Sequence, residues 1–232
     1  VLIEKGSFYE SYEYESQGKA KKLAKTLNMV LTKSNKNKEL SLSNPYMAGF
    51  PKSCKSKHLG LLASAGLTSV LVEQVWDKNM LEIIERKVTR IITPGTYVEE
   101  PPNDEAYNIC CVYFNPDDEI DICTIDLSVG SVILSHYMKN DDLNRHFEMY
   151  HPNESVILIN NANTICDYEM NNETTIVKSI HDEKEFLNKE YQKEIINKIY
   201  DNSNLNLEDS SNLMIPFSYL LNYIWCCYPS SL

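Results

Sequence analysis

No stretch of this sequence carries the roughly eighteen consecutive apolar residues that a membrane-crossing helix needs. Its opening, Val1-Leu2-Ile3-Glu4-Lys5, lacks the basic start and apolar middle of a secretory leader. An intracellular chain with no membrane contact is expected. The seven cysteines (Cys54, Cys110, Cys111, Cys123, Cys166, Cys226 and Cys227) form no C-x-x-C. Neighbouring strand residues face opposite ways, so Cys110 and Cys111 are poorly placed to share a metal, and buried reduced thiols are expected instead. Glycine is scarce, at seven of 232 residues, and none opens a G-x-x-x-x-G-K-[ST] phosphate loop. The five histidines show no ligand spacing and support no Ser-His-Asp or Cys-His order. Together these absences give no ground for a resident cofactor, a metal centre or an enzymatic activity within the chain. An initiating methionine is missing and the chain opens inside a strand-like run, so a fragment of a longer protein is expected.

A net charge of −11 argues against a DNA binder until its distribution is considered. Residues 1–102 carry 15 Lys and Arg against 11 Asp and Glu, a net of +4, whereas residues 103–232 carry 7 against 22, a net of −15. A mildly basic front joined to a strongly acidic back implies two units with different partners. The proline-rich stretch from Thr93-Pro94-Gly95 to Pro101-Pro102-Asn103-Asp104 continues neither strand nor helix and marks the boundary. The division expected is residues 1–98, a linker at 99–104, and residues 105–232.

In the front half, Ala20, Leu23, Ala24 and Leu27 recur at helical spacing and predict a helix over Ser16–Leu27. Leu59, Leu62 and Ala65 predict a second over Ser56–Ala65, stopped by Gly66. Thr68–Val75 is apolar enough for a buried strand, and Lys87–Thr93 alternates as another. This alternation predicts a small α/β unit with a mixed sheet. The back half opens with three strands at hairpin spacing: Tyr107–Phe114, Ile120–Asp126 and Ser131–Tyr137. A helix near Asp141–Tyr150 and strands near Ser155–Asn160 and Thr174–Ser179 follow. Two helices close it, Glu183–Tyr200, with Leu187, Tyr191, Ile195 and Ile199 on one face, and Pro216–Cys227. The Asn-rich patches at Asn160–Asn172 and Asn202–Asn206 read as polar loops. Both halves are therefore α/β.

Gly6-Ser7-Phe8-Tyr9-Glu10 is the first segment with chemical interest. Alone it is a glycine turn followed by aromatics of the kind that usually pack inside. Four further segments give it meaning: Pro45-Tyr46-Met47-Ala48-Gly49-Phe50-Pro51, Val72-Glu73-Gln74-Val75, the run Glu85–Thr96 containing Arg90-Ile91-Ile92-Thr93-Pro94-Gly95, and Cys123-Thr124-Ile125-Asp126-Leu127-Ser128-Val129-Gly130. Taken in order and at these spacings, the five segments resemble the MutS family of DNA mismatch repair proteins, from its proline–methionine–alanine–glycine loop to a strand ending in Glu-Gln and a strand–turn of its connector domain. The likeness is strong to Thr96, moderate to about Tyr137 and weak beyond.

The resemblance implies a mixed-sheet mismatch-binding domain followed by a ribonuclease-H-like α/β connector domain. It implies recognition of mismatched or unpaired bases in double-stranded DNA, with Phe8 wedged into the minor groove and Glu10 hydrogen-bonded to the base. Tyr9, between them on the strand, should turn inward. A carboxyl among phosphates sits in negative potential, which favours its protonated form, and a protonated Glu10 can donate to a base acceptor. The resemblance further implies a MutS-type dimer partner, a MutL-like partner docking on the connector, and a parent DNA-dependent ATPase holding ATP and Mg in a domain absent from this chain. A second reading keeps the family but makes the acidic connector a docking module without mismatch reading. Two departures stand out. Ser7 replaces the family's usual Asp, and Lys52-Ser53-Cys54 replaces a common Tyr-His. The Asn, Lys and Ile bias is similar to that of MutS proteins of large DNA viruses and some organelles.

Lysine clusters flank these segments. Lys19–Lys25 read as a solvated helix face, whereas Lys33, Lys52, Lys55 and Lys57, placed in loops, are candidate phosphate contacts. Asp117, Asp118, Glu119, Asp121 and Asp126 raise a metal-dependent nuclease reading. It is disfavoured, since Asp121 and Asp126 sit five apart on one strand and face opposite sides.

Overall fold

The computed structural model describes residues 1–77, 79, 82–98, 106–117, 119–138, 140–160, 174–200 and 212–229. The linker expected at 99–104, nearly all of both Asn-rich patches, Asp118 and Cys166 lie outside these residues. The chain divides into two compact units, Val1–Pro101 with Cys227–Leu232, and Pro102–Cys226. Among the described residues no helix is long and apolar enough to cross a membrane.

The first unit is a seven-stranded mixed sheet. Its strands are β1 (Leu2–Lys5), β2 (Phe8–Tyr14), β3 (Gln17–Gly18), β4 (Thr32–Lys33), β5 (Tyr46–Pro51), β6 (Ser69–Trp76) and β7 (Ile83–Ile92). They run in the order β4-β5-β2-β1-β6-β7, with β3 on the end of β2. Among the described residues of this unit, only β1 and β6 pair in parallel. Helices α1 (Ala20–Thr26) and α2 (Lys55–Ser64) bury Ala20, Leu23, Ala24, Leu27, Leu59 and Leu62 against Tyr9, Ala48, Phe50, Leu71 and Ile92. Both helices therefore cover the same face.

Four expectations need correction here. The first helix does not start at Ser16, because the chain first turns back as a hairpin. Glu15 takes φ +52° and Gly18 φ +96°, and a Cβ at Gly18 would stand 2.0 Å from the Tyr12 carbonyl oxygen. The start of α1 is capped from the sheet by Glu13, which accepts from Lys21 N at 2.9 Å. In α2 the third buried position is Ala63, while Ala65 ends the helix exposed ahead of Gly66, at φ +70°. The Pro45–Pro51 segment is the strand β5 and not a loop. Finally, the strand with Glu73 and Gln74 runs on to Trp76, paired with a β7 that begins at Ile83 and not Lys87.

The second unit has the sheet order β10-β9-β8-β11-β12. Strands β8 (Asn108–Phe114), β9 (Ile120–Asp126) and β10 (Ser131–Tyr137) form an antiparallel meander, and β11 (Glu154–Ile159) and β12 (Thr175–Ser179) add to β8 in parallel. This is the ribonuclease-H-like arrangement. Helices α4 (Lys189–Ile199) and α5 (Met214–Cys226) close one face and α3 (Asn140–Tyr150) the other. Cys111 lies in the first of these layers and Cys110 in the second, as strand alternation requires. The helix expected over Glu183–Tyr200 is broken. Residues Lys184–Leu187 form a 3₁₀ turn, and the Asn188 side chain accepts from Glu190 N and Tyr191 N to cap a new helix at Lys189. Leu187 and Ile199 are consequently exposed, and Ile195 and Ile196 carry the buried face.

Buried between β9 and α3, His146 bonds Thr124 Oγ1 at 2.7 Å and Tyr137 Oη at 3.1 Å. Burial lowers its pKa to about 4. The unfolded chain protonates this histidine below about pH 6.5, the folded chain only near pH 4, so its stabilisation is complete above 6.5 and lost as pH falls toward 4. The second unit should lose on the order of 2 kcal/mol between pH 7 and pH 4.5. Urea midpoints at the two pH values check this, and a His146→Asn variant with an unchanged pH slope would remove His146 as the cause.

Candidate nucleic-acid interface

The turn between β1 and β2 is two residues long, Gly6-Ser7, with Gly6 at φ +59°. Tight hairpins favour glycine at this position because its φ is positive. Phe8 follows immediately, paired with Lys5 on one side and Pro51 on the other. It is 44% exposed, although burying a phenylalanine is worth about 2–3 kcal/mol. Ser7 O accepts from Lys52 N at 2.8 Å, so the start of the 3₁₀ turn Lys52–Cys54 is fastened to the hairpin tip.

Alternation along β2 separates its two faces. Tyr9 and Ser11 are buried on the helix side, and Phe8, Glu10 and Tyr12 share the face that neither helix covers. Glu10 lies across from Gly49. A Cβ on Gly49 would stand 2.5 Å from the Tyr9 carbonyl oxygen and 3.2 Å from Glu10 Cγ, so this glycine gives the Glu10 side chain the space it occupies. The phenol of Tyr12 donates to Glu10 Oε2, and the Lys5 ammonium stands 3.9 Å from the same oxygen.

Beneath this face, on the helix side, lie two carboxylates, Glu4 and Glu73, whose partners the sequence does not reveal. Buried Glu4 accepts from Lys52 Nζ and from Gln74 N at 2.8 Å, while the Gln74 amide donates to Glu4 O at 3.1 Å. Glu73 accepts from the Tyr9 phenol, from Lys55 Nζ at 2.8 Å and from Thr89 Oγ1 at 2.6 Å. Burial raises the Glu73 pKa, but these three donors outweigh it and hold it at about 2. The Tyr9 phenol is pushed up by burial and by Glu73. The Glu-Gln pair on β6 thus fastens β1 and α2 to the sheet beneath Phe8. No spacing rule reveals this, because the partners are tens of residues apart in the chain.

The structure brings Phe8 and Glu10 together on one face and does not gather all four candidate lysines with them. None of the four occupies a loop. Lys33 ends β4 and donates to Lys38 O at 2.6 Å. Lys52 lies at the hairpin tip, paired with Glu4, and Lys55 is tied to Glu73. Lys57 is exposed on α2. Phosphate contact by Lys52 or Lys55 would therefore share the ammonium with an existing carboxylate partner.

In the second unit, Asp121 accepts from Asn115 Nδ2 at 3.3 Å and meets His136 Nδ1 at 2.9 Å, with Glu119 at 3.9 Å from the other ring nitrogen. Asp126 accepts from Tyr107 N, Ser128 N and Ser128 Oγ. Both aspartates are engaged in holding turns and strand ends. Among the described residues no group of three or more His, Cys, Asp or Glu side chains is arranged to hold a metal.

Comparison with known proteins agrees with this architecture. Residues 1–101 match the family model of MutS domain I. The chain is 31% identical to the DNA mismatch repair protein MutS of Staphylococcus epidermidis over 154 residues, 66% of this chain and 17% of that protein. It is 34% identical over 145 residues to the MutS protein of Petrotoga mobilis (62% and 16%) and 32% identical over 140 residues to that of Thermosipho melanesiensis (59% and 15%). The chain spans about one-sixth of the length of these relatives. The first unit thus belongs to the MutS family as its domain I, and the chain is similar to MutS proteins over 59–66% of its length.

Proposed function

We propose that the first unit recognises mispaired or unpaired bases in double-stranded DNA, with Phe8 as the inserting wedge and Glu10 as the group that hydrogen-bonds the base. The observation that carries this is a large apolar ring left 44% exposed at a hairpin tip, with a carboxylate two residues along on the same face. An apolar ring pushed between base steps unstacks and kinks the duplex, at a cost of a few kcal/mol. That cost is smallest where pairing is already defective, so selectivity comes from deformability and not from a sequence code. Glu10 would take a proton as it enters the groove and donate it to a base acceptor. Lys33, Lys52, Lys55 and Lys57 are the candidate phosphate contacts. The second unit serves as the connector that links this reader to the rest of a longer MutS protein. ATP and Mg binding, a dimer partner and a MutL-like partner are assigned to that longer protein, and no step proposed here runs through them.

The test is binding of the full-length protein to a G·T heteroduplex and its matched homoduplex. A preference for the heteroduplex of about tenfold or more, some 1.4 kcal/mol, is expected. Glu10→Gln, which keeps a donor, should retain it. Affinity for both duplexes should fall steeply with salt, by roughly one power of concentration per phosphate contact. Equal affinities for the two duplexes would contradict the proposal, and a flat salt response would remove the lysine assignments.

A further inference from the structure

We propose that Tyr12 is a positioning residue for mismatch reading: its phenol holds one oxygen of Glu10 and thereby assigns the other to the base. The inference rests on the reading of Glu10 given above. Residues two apart on a strand lie on one face about 7 Å apart, within reach of a tyrosine and a glutamate. Here the Tyr12 hydroxyl donates to Glu10 Oε2, and Lys5 Nζ lies 3.9 Å from that oxygen and 3.4 Å from the Tyr12 hydroxyl. Both contacts to the carboxyl group are made at Oε2. Among the described residues, no protein group bonds Oε1. Gly49, opposite, leaves the side chain room to lie flat over β5. The carboxyl is thus held before DNA arrives, with Oε2 committed as an acceptor and Oε1 free.

The consequence is chemical. A proton taken from solvent when the site closes on DNA goes to Oε1, since Oε2 is occupied by the tyrosine donor. Oε1–H then donates to an acceptor on the base, and Tyr12 keeps its own proton throughout. Without the phenol, the carboxyl rotates freely and either oxygen takes the proton. Some of the binding free energy is then spent on ordering it.

The experiment is a double-mutant cycle in the full-length protein, reading the ratio of heteroduplex to homoduplex affinity. Tyr12→Phe removes only the hydroxyl and should lower the ratio about fivefold while leaving homoduplex affinity and the melting temperature unchanged. In a Glu10→Ala background, which itself lowers the ratio, Tyr12→Phe should have no further effect. An equal loss in both backgrounds would show that Tyr12 acts on the sheet or on DNA directly and overturn the inference. An unchanged ratio in Tyr12→Phe, with a lowered ratio in Glu10→Ala, would overturn it while leaving the role of Glu10 intact. If Glu10→Ala alone leaves the ratio unchanged, both readings fall.

Discussion

Gly49→Ala is expected to cost the first unit at least about 2–3 kcal/mol, as steric overpacking against a backbone that cannot yield. The added methyl would stand 2.5 Å from the Tyr9 carbonyl oxygen and 3.2 Å from Glu10 Cα. Relief requires parting β5 from β2, the strand that carries Phe8, Tyr9 and Glu10. For a unit of about one hundred residues this corresponds to a fall of roughly 10 °C or more in melting temperature. Gly6→Ala provides the contrast. Nothing lies within 4 Å of its added methyl, and only the φ of +59° opposes it, so about 1 kcal/mol is expected. Equal shifts for the two substitutions in thermal melts would contradict the close approach of β2 and β5.

Phe8→Ala is expected to abolish the preference for a mispaired duplex while barely changing stability. Phe8 sits at the end of β2, 44% exposed, and does not belong to the buried cluster formed by Tyr9, Phe50, Leu71 and the two helices. Removing its ring leaves no cavity, and surface substitutions of this kind usually fall within about 0.5 kcal/mol. The effect on binding should be large, because the ring is the proposed element that senses ease of unstacking. A loss of tenfold or more in heteroduplex affinity, with homoduplex affinity little changed, is the expected outcome of titrations with both duplexes. Tyr9→Ala should behave in the opposite way. It removes a buried ring, 1% exposed, together with a donor to Glu73, and should destabilise by about 3–5 kcal/mol.

The contrast between Phe8 and Tyr9 shows what a sequence discloses. With Phe8 and Glu10 turned outward by the family resemblance, strand alternation placed Tyr9 inside, and periodicity placed Ala20, Leu23, Ala24 and Leu27 on the buried side of α1. The meander β8–β10 was legible because turn residues separate three strand-forming runs at hairpin spacing. Element ends were less so, for local reasons. Glu13 on β2 caps α1, and Asn188 divides what reads as one helix, because a side-chain cap can outweigh a continuous pattern. The supports of the site were invisible. Glu4 with Lys52, Glu73 with Tyr9 and Lys55, and Gly49 opposite Glu10 all depend on strand order and register. A sequence without its sheet topology does not contain that information in local form.

The placement of the lysines changes the electrostatic picture of the front half. Its charge of +4 suggested a basic surface, yet Lys21, Lys52 and Lys55 are each paired with a carboxylate of the same unit. In each pair the carboxylate is the more buried partner and the lysine the more exposed one. Their partners Glu4 and Glu73 hold the strands beneath Phe8, so these lysines serve the geometry of the hairpin tip as much as any phosphate.

The most direct test of the wedge is the stacking of the base next to the mispair. A G·T duplex carrying 2-aminopurine beside the mispair emits weakly while that base is stacked. Binding of the full-length protein should raise its emission several-fold, binding of the Phe8→Ala protein should not, and the matched duplex should stay dark with both. A rise of equal size with the Phe8→Ala protein would show that the base is unstacked without the ring and would contradict the wedge.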